Sequence, residues 1–190
     1  VFNPTGHVYF NLSGDVAQSI DNHFLRLGAS RFVPLLDKSE VVRGDIAELA
    51  GTDLDLRSGK RLSEVFQSTM EQVILVDGLD HPFLLDEPSI EKEQARLSFE
   101  ELSISVYTDR PSIVIFSANF GESGAVYQGK KEVNHGGITF ETQVAPGSQQ
   151  IPELGDITLK AGEKYYSKTI YKLHKAVSYT HLRAHETLRH

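Results

Sequence analysis

The sequence predicts an all-β fold, an antiparallel sandwich or barrel, and three observations carry that prediction. The dominant hydrophobic period is two, the signature of half-buried strands. Helical periodicity is scarce. Turn signals recur about every ten residues, the spacing of short strands joined in antiparallel sheets.

Taken in order, Val8, Phe10 and Leu12 alternate with Tyr9, Asn11 and Ser13 and predict a first strand. Phe24, Leu25 and Leu27 run into Gly28 and then Arg31–Pro34, which reads as strand, bend, strand. Ser39–Leu49 is ambiguous, because Val41, Val42, Ile46 and Leu49 fit either a helix face or a loop with a strand. Leu62–Met70 fits two helical turns, and Ser89–Ala95 fits one. Leu97 and Phe99 alternate, the pattern breaks at Glu100 and Glu101, and Leu102, Ile104 and Val106 resume it, which predicts a hairpin. Ser112–Phe116 is nearly continuous apolar sequence and reads as a strand covered on both faces. Ile138, Phe140 and Thr142 share one face of a further strand, with Thr139 and Glu141 on the other. Tyr165–Leu173 makes the last one. Gly14-Asp15, Gly51-Thr52, Asp77-Gly78, Gly121-Glu122, Gly136-Gly137 and Pro146-Gly147 punctuate these runs as turns.

Composition bounds the function classes. The chain has 190 residues and a net charge of −7, so it presents no basic, phosphate-tracking surface and nucleic acid is not an expected partner. It has no cysteine, which removes disulfides, thiolate metal ligands and a cysteine nucleophile. No run approaches the roughly 20 apolar residues that span a bilayer, so no membrane association is expected. No secretory signal opens the sequence, and a cytoplasmic setting follows, although a start at Val1 inside a strand-like run leaves a preceding targeting segment open.

The chemistry-bearing motifs are few. There is no GxSxG elbow and no glycine-rich phosphate cradle. Three polar residues embedded in strand-like runs stand out instead. His7, in NPTGHVYFNLSG, is either a satisfied strand-start histidine or a general acid that titrates near neutrality. Asp80, in DGLDHPFLL, is either a turn former or a polar contact beside apolar residues. Glu141, in GGITFETQ, is a solvated carboxylate if its strand face is open to water, and a candidate general base if that face lines a cleft. His181 and His185, four apart with Glu186 following, suggest a metal pair, yet the HExxH glutamate and a third ligand are missing. The string SYTHLRAHET resembles a translated sequencing adapter, so residues 176–190 are set apart as an artefactual or disordered tail.

In this order, NPTGHVYFNLSG, GTDLDLR, GLDHPFLL, ITFETQ and AGEKYYSKTIYKL resemble the successive landmarks of the aldose 1-epimerases, or galactose mutarotases. The resemblance runs from Phe2 to Leu173. It implies an all-β supersandwich of the galactose mutarotase-like type, with a sugar cleft across one face. It also implies that residues 1–175 are the C-terminal portion of such a domain, incomplete at the N-terminus, since the family's N-R and N-H-x-H-G motifs are missing. Carried over residue by residue, it assigns His7 as general acid, Glu141 as general base, Asp80 as a contact to sugar hydroxyls and Tyr9 as a further substrate contact. The implied reaction is anomer interconversion of free aldohexoses such as galactose or glucose, with no cofactor and no metal. Ordinary imidazole and carboxyl groups, with pKa values of about 6.5 and 4.3, hold the required protonation states near neutral pH. Gly6 replaces a family Asn, Asp53 a proline, and Val114 a glutamine that contacts substrate in some members. The alternatives are a non-catalytic sugar-binding protein on the same fold, a maltose epimerase, or a hexose-6-phosphate epimerase using arginines such as Arg57 or Arg61.

Overall fold

The computed structural model describes residues 1–38, 42–127 and 129–176. Strands dominate: β1 (Tyr9–Phe10), β2 (Phe24–Leu27), β3 (Ala29–Phe32), β4 (Ala47–Glu48), β5 (Lys60–Arg61), β6 (Asp80–Leu85), β7 (Ala95–Phe99), β8 (Leu102–Thr108), β9 (Ser112–Phe116), β10 (Val126–Tyr127), β11 (Lys130–Lys131), β12 (Ile138–Thr139), β13 (Glu141–Gln143) and β14 (Thr169–Lys175). Two short helices, α1 (Leu62–Phe66) and α2 (Glu71–Val76), lie between β5 and β6. The all-β expectation holds.

Two five-stranded antiparallel sheets form the body, with orders β13-β9-β6-β3-β4 and β14-β8-β7-β2-β5. Their alternation sorts side chains as period two requires. In β2, Leu25 and Leu27 are buried while Phe24 and Arg26 are exposed. Leu25, Leu27, Leu97, Ile104 and Val106 from one sheet join Phe32, Phe83, Leu85, Ile113 and Ile115 from the other in a single core. Burial on this scale stabilises by roughly 1.5–3 kcal/mol per large apolar side chain before chain entropy is counted.

The β7–β8 hairpin forms as the sequence predicts, with Phe99 opposite Leu102 and Glu100 in the left-handed region at φ 51°. The double burial of β9 is also found. Ile113 and Ile115 enter the core, and Ser112 and Val114 are covered on the opposite face.

Four expectations need correction. The last strand starts at Thr169 rather than Tyr165, because the Asp109 carboxylate accepts from the Lys168 backbone N–H and delays the β14–β8 ladder. Leu62–Met70 is not one helix. α1 stops at Phe66, and the Ser68 hydroxyl accepts from the Met70 N–H before α2 begins. Ser89–Ala95 is not helical. The Gln94 amide donates to the carbonyls of Glu87, Ser89 and Lys92 and holds that segment as a loop. The first strand is cut to two paired residues, because the Asn11 carboxamide oxygen accepts from the Ser13 N–H and turns the chain. Within the ambiguous Ser39–Leu49 stretch, Val42 bridges to Leu35 and β4 pairs with β3, while residues 39–41 lie outside the described residues. His181, His185, Glu186 and the rest of the tail beyond Ala176 lie outside them too.

Candidate active site

The segment Ile138–Gln143 changes partners midway. Its first half, β12, pairs with β1, and its second half, β13, pairs with β9, with fully buried Phe140 between them. The β1–β12 register sets Tyr9 opposite Thr139 and Phe10 opposite Ile138. Carried on by two residues, the same register places His7 opposite Glu141, on the face shared with Tyr9 and Thr139. The side chains meet there: His7 Nε2 lies 3.1 Å from Glu141 Oε1. The histidine side chain is half exposed and the carboxylate only 12% exposed, so the pair straddles the boundary between protein and solvent.

The remaining walls come from β9 and β6. Glu141 is opposite Val114, and Val114 is opposite Pro82, so these three residues form one row across three strands. Asp80 opposite Phe116 forms part of the next row. Asp80, Pro82, Val114, Glu141 and Gln143, with Leu35, Val42 and Pro146, line a cleft of about 180 Å³. Beside it the rings of His7 and Tyr9 lie 5.1 Å apart, and Phe116 and Phe120 extend the aromatic surface at 5.4 Å from each other. Burial, and then the negative charges of Glu132 and Glu141, push the Tyr9 phenol up to about 12. Tyr9 therefore stays an O–H donor throughout the neutral range.

Two contacts escaped the sequence reading. Thr139 is fully buried, and its hydroxyl donates to Glu141 Oε1 at 2.9 Å. The Asp77-Gly78 turn that delivers Asp80 is held from the far side. His135 Nε2 lies 2.6 Å from the Asp77 carbonyl, and the Asn134 amide donates to the Asp77 carboxylate. The i, i+2 relation of Thr139 to Glu141 was the available signal for the first contact. Nothing local in the sequence points to the second. Arg57, weighed above as a phosphate contact, is held by Asp55 at 2.6 Å.

The structure thus brings His7, Glu141 and Tyr9 together, with Asp80 across the same cleft. An imidazole and a carboxylate within hydrogen-bond reach can move two protons in opposite directions on one small molecule. Among the described residues no helix is long and apolar enough to cross a membrane.

Comparison with known proteins gives the chain's family. The family model for aldose 1-epimerase matches residues 1–172. The galactose mutarotase of Rattus norvegicus is 33% identical over 178 residues, covering 90% of this chain and 49% of that protein. The aldose 1-epimerase of Escherichia coli is 33% identical over 176 residues, covering 90% of this chain and 50% of its own. The crystal structure of galactose 1-epimerase from Lactobacillus acidophilus superimposes with a TM-score of 0.79 at 30% identity, over 93% of this chain and 50% of that one. A GalM/aldose epimerase homologue from C. elegans gives a TM-score of 0.78 at 22% identity, which speaks to the fold alone. The chain spans about half the length of the curated relatives it matches. With the family's landmarks in order along the sequence and its fold in the structure, this chain belongs to the aldose 1-epimerase family.

Proposed function

We propose that this chain carries the acid–base pair of an aldose 1-epimerase that interconverts the α and β anomers of free aldohexoses such as galactose and glucose. The observation that supports the reading most directly is the 3.1 Å approach of His7 Nε2 to Glu141 Oε1 beside a cleft of about 180 Å³. In the forward direction the Glu141 carboxylate removes the proton from the C1 hydroxyl. Protonated His7 delivers a proton to the ring oxygen, the C1–O5 bond breaks, and C1 becomes an aldehyde. Rotation about C1–C2 turns the other carbonyl face toward O5. Closure re-forms the C1–O5 bond, His7 takes the proton back from O5, and Glu141 returns one to O1. Acid and base are each worth about 10²–10⁴-fold. Asp80 accepts from sugar hydroxyls, and Tyr9 forms a wall with an O–H donor. The proposed partner is the sugar alone, and the proposed setting is the cytoplasm.

Polarimetry of freshly dissolved α-D-glucose and α-D-galactose tests the reading, in this chain and in a chain lengthened to the size of its relatives. Faster drift to the equilibrium rotation is expected. Glu141→Gln is expected to slow it by about 10²–10⁴-fold while sugar affinity, followed by calorimetric titration, stays within a few-fold. A folded, lengthened chain that leaves the drift at its spontaneous rate on both sugars sinks the proposal, whereas acceleration by the lengthened chain alone marks this chain as an incomplete enzyme.

A further inference from the structure

Glu141 has two carboxylate oxygens, and the structure treats them differently. Oε1 meets His7 Nε2 at 3.1 Å and the Thr139 hydroxyl at 2.9 Å. Oε2 has no hydrogen-bond partner among the described residues. The Thr139 hydroxyl is itself oriented. It accepts from the Phe116 backbone N–H at 3.3 Å, which occupies an acceptor site on Oγ1 and leaves the hydroxyl proton for Glu141. Thr139 is fully buried and paired opposite Tyr9, so its own position is fixed by the β1–β12 ladder. A donor anchored to two strands therefore holds one oxygen of the carboxylate.

From this we infer that Thr139 is a positioning residue for the base: it pins Oε1 and presents Oε2 to the C1 hydroxyl of the sugar. The inference rests on the reading of Glu141 as the base. A carboxylate whose Oε1 accepts from the Thr139 hydroxyl and sits 3.1 Å from His7 Nε2 cannot rotate without giving up the hydrogen bond and the ion-pair contact together. The oxygen that receives the substrate proton is then the same in every turnover. A site held in advance in this way spends no substrate binding energy on aligning its base.

Thr139→Val keeps the β-branched shape and removes the hydroxyl, and Thr139→Ser restores the hydroxyl. Both are compared with the unsubstituted chain in two measurements. In polarimetric initial rates, Thr139→Val is expected to lower kcat about tenfold with KM unchanged within twofold, and Thr139→Ser to recover most of the loss. A purely structural role, that of accepting the Phe116 N–H, would lower stability without splitting kcat from KM. In crystal structures, the Glu141 carboxylate of Thr139→Val is expected to turn, so that Oε1 no longer sits within hydrogen-bond reach of His7 Nε2. An unchanged kcat in Thr139→Val, or a Glu141 that superimposes on the unsubstituted one, overturns the inference. The rates are read in the lengthened chain; if that chain without substitution shows no acceleration, the epimerase reading is what fails, and the crystallographic comparison alone decides the role of Thr139.

Discussion

Asp80 and Glu141 stand on strands separated by one other, β9, and Asp80 lies two residues along from the row of Glu141, so their backbones lie roughly 12 Å apart. That interval fits a sugar ring laid over Val114 and Pro82, with one end at the base and the other at Asp80. Under the proposed function, Asp80 contributes to holding the ring in both the ground state and the transition state, while the proton transfers are assigned to His7 and Glu141. Asp80→Ala is accordingly expected to raise KM by about tenfold, the worth of a hydrogen bond to a charged group, with kcat changed less. Initial rates across a range of sugar concentrations separate the two effects. A fall in kcat at constant KM would move Asp80 from anchoring to chemistry. The Val114 side chain supplies no hydrogen bond to a sugar there, and Asp80 and Gln143 are the polar side chains that line this cleft beside Glu141.

At the scale of elements, the site depends on two places where the chain does something its neighbours dictate. The first is Phe140, where one run of sequence leaves β1 and joins β9. Its ring is fully buried against Phe10, and the Tyr171 hydroxyl donates to its carbonyl. The alternation of Ile138, Phe140 and Thr142 made the strand and its faces legible, but the switch of partner is non-local and left no mark on the pattern. The juxtaposition of His7 with Glu141 was hidden for the same reason, and only the family resemblance joined them. The β7–β8 hairpin was legible because its alternation and its break are adjacent in sequence. The segment Ser89–Ala95 misled because three carbonyl contacts from Gln94 outweigh a weak helical period. The second place is the Asp77-Gly78 turn, with φ of 55° and 140°. A Cβ on Gly78 would lie 2.6 Å from both Asn119 Oδ1 and Ser117 Oγ. Both contacts and the backbone angle exclude a side chain, so Gly78→Ala is expected to destabilise by more than about 1 kcal/mol and to displace Asp80. Urea denaturation reads the first effect, and a raised KM reads the second. A variant as stable as the parent would show that the turn relaxes freely.

Across the whole molecule, two buried histidines far from each other in sequence set how stability responds to acid. His23 and His81 are fully buried, and burial pushes each imidazole down to about 4. Each already uses one ring nitrogen as an acceptor: His23 Nε2 takes the Leu12 N–H at 2.9 Å and His81 Nδ1 the Asp80 N–H at 3.3 Å. Among the described residues neither His23 Nδ1 nor His81 Nε2 has a hydrogen-bond partner, and for His23 the nearby Ile20 backbone offsets only part of the cost of burying a charge. In the unfolded chain both titrate near 6.5. Between about pH 6.5 and 4 the unfolded state therefore binds more protons than the folded one, and stability rises with pH through that window. Falling from pH 8 to pH 5 is expected to cost about 2 kcal/mol per histidine. Asp55, held below its ordinary range by its hydrogen bond with Arg57, adds its own loss only at lower pH. Denaturant titrations at pH 8, 6.5 and 5 measure the slope directly. The double variant His23→Gln, His81→Gln removes both titrations and keeps an acceptor for the Leu12 N–H. Its stability is expected to be nearly flat over the same range, and a slope equal to the parent's would mean that other groups govern the acid response. Because His81 follows Asp80 on β6 and His23 anchors the residue after Asn11, the same protonation would loosen both strands that frame the cleft. A loss of activity below pH 5 is then expected to accompany opening of the fold, and circular dichroism recorded alongside the polarimetry checks this through the strand signal.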